Sequence, residues 1–196
     1  MKSNYTRKDI IVLPDKRLRE KSVKVHIITD ETLQIIEDML AATIDWENSR
    51  PHEMAVALAA VQIGELERIV IIRNDLENKE DQTFTVLINP EIIKKEGKVI
   101  TDQEGCLSVP DVYGLVPRHE KVRVNAINVD GQKIRVKTQN PFIARILQHE
   151  VDHCNGQCFV DHIAHDKNAF SILTKSGSLE PIEYNKVVKM GILPED

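Results

Sequence analysis

The chain has 196 residues and a formal net charge of −5 at pH 7, from 26 Lys and Arg against 31 Asp and Glu. Hydrophobic residues make up 41% and charged residues 29%, which is ordinary for a globular protein and excludes a disordered, collagen-like or coiled-coil chain. This mild acidity disfavours a general nucleic-acid binder, and we expect no specific nucleic acid as a partner. The length predicts one domain spanning residues 1–196.

The cellular context follows from apolar runs and cysteines. No apolar run approaches the roughly 20 residues that cross a bilayer, and MKSNYTRKD has no apolar stretch behind it, so we expect a cytoplasmic protein without a membrane partner. The three cysteines, Cys106, Cys154 and Cys158, are an odd number in a chain too large to be a disulfide scaffold. They fit a reducing cytosol or a thiolate that serves as a ligand.

The first half of the chain predicts one helix and one hairpin. Thr29 and Asp30 are cap-type residues, and apolar residues recur at helical spacing from there to Trp46. The runs 68–74 and 83–90 are rich in β-branched residues and are separated by a polar stretch. We expect these two runs to pair as strands.

The second half predicts another hairpin and a second helix. Residues 121–129 and 132–138 alternate in polarity around the turn Asp130-Gly131. Asn140 and Pro141 are start signals for a helix that we expect to end at Gly156. The predicted class is α+β. Residues 165–196 are polar, and we expect a variable, loosely packed C-terminal segment.

The strongest chemical signal is the run His149-Glu150-Val151-Asp152-His153 inside the second predicted helix. Histidines at i and i+4 share a helix face, so both rings can bind one cation, and the glutamate beside the first reaches a water on that cation. The alternative is an amphipathic helix with two histidines and an ordinary glutamate. We favour the metal site because a matching thiol exists elsewhere.

A catalytic metal site with an open position usually has three protein ligands. His162 and His165 do not have the spacing of the extended protease motif, and we expect them to be surface histidines. Cys106 lies in EGCLS beside a glycine that lets another group approach the backbone, and it is the better third ligand. We expect Cys154 and Cys158 to be ordinary buried thiols.

Three segments resemble a known family. AVALAAVQ (55–62), EGCLS (104–108) and QHEVDHCNG (148–156) occur in the order and at the spacing of the three motifs of the peptide deformylases. The resemblance runs from about Leu13 to His162. It implies antiparallel β-sheets around a central helix that carries the metal ligands.

The first motif departs from the family, because Ala55 and Ala57 stand where the family has glycines that pass close to the substrate. Two added methyl groups would narrow the groove or demand a backbone conformation that alanine disfavours. In the alternative, which we favour, both backbone conformations suit alanine and the added methyl groups fit.

The resemblance implies removal of the N-formyl group from the initiator methionine of new polypeptides. Cys106, His149 and His153 would hold one divalent metal ion, Fe²⁺ in the cell, with Ni²⁺, Co²⁺ or Zn²⁺ as replacements. Glu150 would act as acid and base. The Gln62 amide and the Leu107 backbone N–H would stabilise the oxyanion.

Two residues of the expected substrate pocket are predicted from their spacing along the second helix. Phe142 and Ile146 precede His149 by seven and three positions, so they lie on or near the face that binds the metal. We expect them to form the substrate pocket together with Val56, Ala57 and Gly105, although packing in the core is an equal alternative for both. The resemblance also implies an ion pair of Glu104 with Arg118 that steadies the cysteine loop. The expected partner is a nascent formylmethionyl polypeptide, with ribosome contact as a hypothesis and a monomeric state.

Two other functions compete with deformylation. A zinc peptidase would share the helix motif, but Cys106 as third ligand and the missing downstream protease ligand argue against it. A protein that binds peptides without turnover would explain the two alanines. The intact Glu150 argues against that second alternative.

Overall fold

The computed structural model describes residues 3–50 and 52–194. These residues form three α-helices: α1 (Asp30–Asn48), α2 (Pro141–Cys154) and α3 (Tyr184–Lys189). Thr29 Oγ1 caps α1 by accepting from Thr32 N, and Asn140 Oδ1 caps α2 by accepting from Phe142 N at 2.8 Å. Both predicted helices are therefore confirmed, together with their start signals.

In the described part of the chain, seven strands form an antiparallel sheet. They are β1 (Ala57–Ala59), β2 (Ile69–Arg73), β3 (Phe84–Cys106), β4 (Val109–Ile127), β5 (Lys133–Lys137), β6 (Phe170–Leu173) and β7 (Leu179–Pro181). Their order is β1-β2-β3-β4-β6-β7, and β5 pairs with the second half of β4. The predicted α+β class and both predicted hairpins are confirmed.

The two longest strands, β3 and β4, are longer than the sequence predicts. Proline normally weakens a strand, and the predicted strand ends at Pro90, but β3 continues to Cys106. Register shifts, the first of them between Ile88 and Glu91, let β3 bend and keep pairing with β4. This long hairpin carries Cys106 to the turn that faces α2.

Helix α2 lies in the middle of the protein and packs against β4. Every residue from Ala144 to Cys154 is buried. Ala144 and Leu147 belong to a cluster with residues of β2, β3 and β4, while Phe159 belongs to a second cluster near the start of β4. The metal-ligand motif is thus held in a rigid, water-poor setting.

The expectation of a loosely packed C-terminal segment is wrong for the described residues 165–194. They form β6, β7 and α3, and β6 pairs with β4. Phe170, Val187 and Ile192 are buried in the same cluster as Phe159. These few apolar residues sit in a polar stretch, which is why composition alone did not reveal the packing. No helix in the described part of the chain is both long and apolar enough to cross a membrane.

Candidate metal centre and active site

Three side chains predicted as ligands meet at one point. His149 and His153 lie one turn apart on α2 with their Nε2 atoms 3.2 Å apart. Cys106, at the end of β3, places its Sγ 3.2 Å from His153 Nε2. The three ligand atoms all lie within 4.8 Å of one another, and within the described residues this is the one such His, Cys, Asp and Glu group found.

The chemistry of this donor set fits a divalent transition metal. One thiolate and two imidazoles suit a borderline or soft cation and leave a coordination position open. His149 Nδ1 lies 3.0 Å from Glu104 Oε2, so its N–H donates to the carboxylate and Nε2 is the ring atom left to bind a metal. Burial lowers the pKa of His153, which keeps that ring neutral as a ligand must be. Burial also disfavours the charged form of His149, but hydrogen bonds with Cys106 and Glu104 outweigh it and raise the pKa of His149, so a metal that binds there would displace a proton.

Glu104 holds the ligands in place. Its carboxylate accepts from Arg118 Nε and Nη2 at 2.9 and 3.0 Å, from Arg145 Nη1 at 2.7 Å and from His149. Burial raises the pKa of Glu104, but hydrogen bonds from His149 and Arg118 outweigh it and leave the net pKa below its ordinary value. The expected contact of Glu104 with Arg118 is present.

Arg145 was missed by the sequence analysis. Its guanidinium also donates to the carbonyl oxygens of Val116 and Ile100, each at 2.7 Å, and so ties α2 to both long strands. A signal existed, because Arg145 lies four residues before His149 and therefore on the same helix face. A charged residue there requires a buried partner.

The other histidines and cysteines lie outside the ligand group. His162 and His165 are exposed, as expected, although His162 Nε2 contacts Asp152 Oδ2 at 2.7 Å. Cys154 is fully buried in the apolar core. Cys158 Sγ lies 4.0 Å from Nδ1 of His153, on the other side of the ring from Nε2.

Glu150 has the environment of a proton carrier. Its side chain is buried beside His149, and Oε2 has no hydrogen-bond partner within the described residues. Burial raises its pKa to about 7. A buried carboxyl oxygen without a partner carries a desolvation cost, and such groups concentrate where function requires them.

Gln62 is locked beside the cysteine and is not a solvated side chain. It is 1% exposed on a short helical turn after β1. Its Oε1 accepts from Ala59 N at 2.9 Å, which aims Nε2 at Cys106 Sγ (3.4 Å) and Ser108 Oγ (3.1 Å). The amide donor therefore points into the ligand group.

A pocket of about 320 Å³ opens in front of these residues. All of the residues predicted to touch substrate or assist the reaction line it: Val56, Ala57, Gln62, Gly105, Leu107, Phe142, Ile146 and Glu150. Phe142 is 46% exposed at its rim, whereas Ile146 is buried. Residues that the sequence analysis missed also line it, among them Trp46, His52, Glu53, Met54, Gln103 and Tyr113.

The two alanines of the first motif sit in ordinary backbone. Within residues 3–50 and 52–194 the non-glycine residues with positive φ are Asn89 and Asp111, so neither Ala55 nor Ala57 needs a left-handed conformation. Ala57 pairs with Ile72 in the sheet and lines the pocket. The favoured interpretation is therefore confirmed for the backbone, while the fit of the two methyl groups beside a substrate stays a prediction.

A buried ion pair explains how Ala55 is held. Glu47 Oε2 accepts from Ala55 N at 2.8 Å and from Arg73 Nη2 at 2.6 Å, while Arg73 Nε donates to the Ala55 carbonyl at 3.1 Å. The Glu47 and Arg73 side chains are 1% and 0% exposed. Both peptide groups of Ala55 are therefore clamped, and Ala55 itself is fully buried.

The site combines a buried helix that carries His-Glu-x-x-His with a cysteine from a strand turn. The glutamate of the motif lies beside the ligands, and this arrangement is that of a metal-dependent hydrolase. The family model described as "Polypeptide deformylase" matches residues 7–169. Since that match covers most of the chain, the protein belongs to the peptide deformylase family.

Curated relatives and solved structures agree with that assignment. The peptide deformylase of Thermomicrobium roseum is 39% identical over 157 residues, covering 79% of this chain and 84% of the relative. That of Desulfotalea psychrophila is 33% identical over 185 residues, covering 94% and 96%. The structure of a Synechococcus elongatus peptide deformylase in complex with actinonin is similar with a TM-score of 0.69 at 37% identity, covering 80% of each chain.

Proposed function

We propose that the protein removes the N-formyl group from the N-terminal methionine of newly made polypeptides, releasing formate and a free amine. The observation that carries this is the ligand group of Cys106, His149 and His153, which opens into a pocket beside Glu150 Oε2, an atom without a hydrogen-bond partner among the described residues. Family membership supports the same activity.

Cys106, His149 and His153 would hold one divalent ion, which we expect to be Fe²⁺, with Ni²⁺, Co²⁺ or Zn²⁺ as replacements. Such an ion acts as a Lewis acid and lowers the pKa of a water towards neutrality. Glu104 fixes the His149 ring for this task through the hydrogen bond to Nδ1.

Glu150 moves the proton. A carboxyl with a pKa of about 7 exchanges a proton near neutral pH in both directions. It would take the proton of the attacking water and later give it to the nitrogen of the departing amine. The C–N bond of the formamide breaks as the amine accepts that proton.

Gln62 and Leu107 would stabilise the negative charge on the formyl oxygen. The hydrogen bond that Ala59 donates to Oε1 fixes the Gln62 amide, and Nε2 would exchange its contact with Ser108 Oγ for the formyl oxygen. Leu107 directly follows Cys106 in the turn between β3 and β4, where its backbone N–H would be the second donor.

Methionine would bind in the pocket. Val56, Ala57, Phe142 and Ile146 supply apolar walls, and Gly105 lets the substrate backbone approach β3. Space at Gly105 is already limited, because a Cβ there would lie 2.5 Å from the Tyr113 ring.

The wider setting follows from the same proposal. We infer a cytoplasmic monomer in which residues 1–196 act as one domain and residues 165–196 vary within the family. Nascent chains are the expected substrates. Contact with the ribosome is a hypothesis, which cosedimentation with ribosomes would support and a lack of association would contradict.

The test is formate release from a formyl-Met peptide by protein loaded anaerobically with iron or nickel. We expect turnover by the natural protein and a loss of at least 10³-fold in Glu150→Gln, whose amide cannot carry the proton. The Ala55→Gly/Ala57→Gly double variant is assayed in parallel with the natural protein. Turnover that appears only in this variant, with one metal bound per natural chain, would show that the groove excludes formyl-Met substrates.

A further inference from the structure

Two walls of the pocket are joined by side chains at its outer end. Tyr113 Oη, on β4, donates to Glu53 Oε1 at 2.8 Å. Arg50 Nη1 donates to Glu53 Oε2 at 2.8 Å and to Asp111 Oδ1, on β4, at 2.7 Å. We name these four residues the clasp, because they tie the segment before β1 to β4.

The clasp is rigid on both sides. Lys79 Nζ donates to the Glu53 and Arg50 carbonyl oxygens at 2.8 and 3.1 Å, which fixes the first wall. On the second wall the Tyr113 ring lies directly on Gly105, where even a Cβ would not fit. Burial and Glu53 raise the pKa of Tyr113, so its hydroxyl remains a donor at neutral pH.

The clasp stands where the pocket opens. A broad depression of about 730 Å³ adjoins the pocket and shares with it Trp46, His52, Glu53, Leu107, Pro110 and Asp111. The Arg50 and Glu53 side chains are 25% and 16% exposed, whereas Glu150, at the ligand group, is 4% exposed. A chain with its formyl end near Glu150 therefore has an open way out past the clasp.

We propose that the clasp determines which residue is accepted immediately after the formylmethionine; this rests on the proposed function. The residue after methionine lies between the walls that Glu53 and Tyr113 join. Because the hydrogen bonds hold these walls at a fixed separation, small second side chains fit and bulky ones require the tie to break. The clasp residues do not touch the reacting atoms, so they select substrates without carrying out chemistry.

The test compares formyl-Met-Ala amide with formyl-Met-Trp amide in metal-loaded protein, for the natural chain and Tyr113→Phe. We expect the natural protein to prefer the alanine substrate. Tyr113→Phe should raise the ratio of kcat/KM for the tryptophan over the alanine substrate at least threefold, mainly through KM.

Three further variants separate specificity from a general structural effect. Tyr184→Phe removes a hydroxyl that donates to the Ala164 carbonyl away from the pocket, and should leave the ratio unchanged. Glu53→Ala should reproduce Tyr113→Phe, while Glu53→Gln keeps an acceptor for Tyr113 and should restore most of the discrimination. Circular dichroism and the melting temperature confirm that each variant is folded.

The outcomes are distinguishable. Turnover of the alanine substrate with an unchanged ratio in folded Tyr113→Phe and Glu53→Ala would overturn the clasp proposal alone. An equal change of the ratio in Tyr184→Phe would overturn it as well. No turnover of either substrate by the natural protein would overturn the proposed function, and the clasp proposal with it.

Discussion

At the scale of single residues, Glu104 is the acceptor on which the site depends. It receives hydrogen bonds from Arg118 on β4 and from Arg145 and His149 on α2. A buried carboxylate is stable only when its charge is matched, and here Arg145 matches it together with Arg118, which is shared with Asp152. The same carboxylate orients the His149 ring, so charge balance and ligand geometry are coupled in one group.

We predict that Glu104→Gln lowers metal affinity about 10–100-fold, because the neutral amide neither orients the His149 ring as well nor balances Arg118 and Arg145. Competition with a chelator measures this. Glu96→Gln is the matched control, since Glu96 pairs with Arg123 on the surface and away from the site. Equal affinities of both folded variants would contradict the prediction.

At the scale of elements, the ends of α2 set the position of the ligands. Asn140 begins the helix and Gly156 follows it with φ +75°, a conformation that favours glycine. A Cβ on Gly156 would lie 2.4 Å from the Arg19 carbonyl oxygen. The chain reverses here because only glycine can meet both requirements.

We therefore predict that Gly156→Ala lowers the free energy of unfolding by clearly more than about 1 kcal/mol, since strain at positive φ is joined by a backbone clash. Urea unfolding measures it. Gly131→Ala is the control, because Gly131 has φ +76° with no atom within 4 Å of the added Cβ. Similar losses in the two variants would show that the clash relaxes without cost.

The pair of Glu47 and Arg73 connects α1, β2 and the first motif. We predict that Arg73→Met costs about 3–5 kcal/mol of stability, because it leaves the Glu47 carboxylate buried without its charge partner. In Arg123→Met, which breaks a half-exposed pair with Glu96, the loss should stay within about 1 kcal/mol. Chemical denaturation of both variants measures the free energy of unfolding. Equal losses of stability in the two variants would contradict the prediction.

At the scale of the whole molecule, residues beyond the family match at 169 complete the core. Phe170 packs in one cluster with Phe159 and Val187, close to the end of the ligand helix. The C-terminal segment should therefore unfold together with the rest of the chain. Trp46, near the end of α1, packs against a different core cluster and reports on that part of the molecule.

We predict that Phe170→Ala destabilises the protein by about 3–5 kcal/mol. Urea transitions followed by Trp46 fluorescence and by circular dichroism should shift together. Leu179→Ala is the control and should change stability little, because Leu179 is 38% exposed. A Phe170→Ala variant with unchanged stability, or with separate transitions, would show that the segment folds independently.

Local patterns in the sequence predicted the two main helices with their caps, the two hairpins and the candidate ligands, because each signal spans only a few neighbouring residues. The extent of β3 was not predictable, since the bulges that carry it past Pro90 depend on pairing with β4. The buried C-terminal residues were missed because their partners lie far away in the chain.

By itself the sequence determined the helix that carries His149, Glu150 and His153, since helical spacing alone puts both rings on one face. Only the tertiary structure decided that Cys106, 47 residues from His153, reaches the same point. The same holds for Arg145 against Glu104 and for Tyr113 against Glu53. Such contacts depend on how sheet register and helix packing bring distant residues together, and short-range spacing carries no information about that.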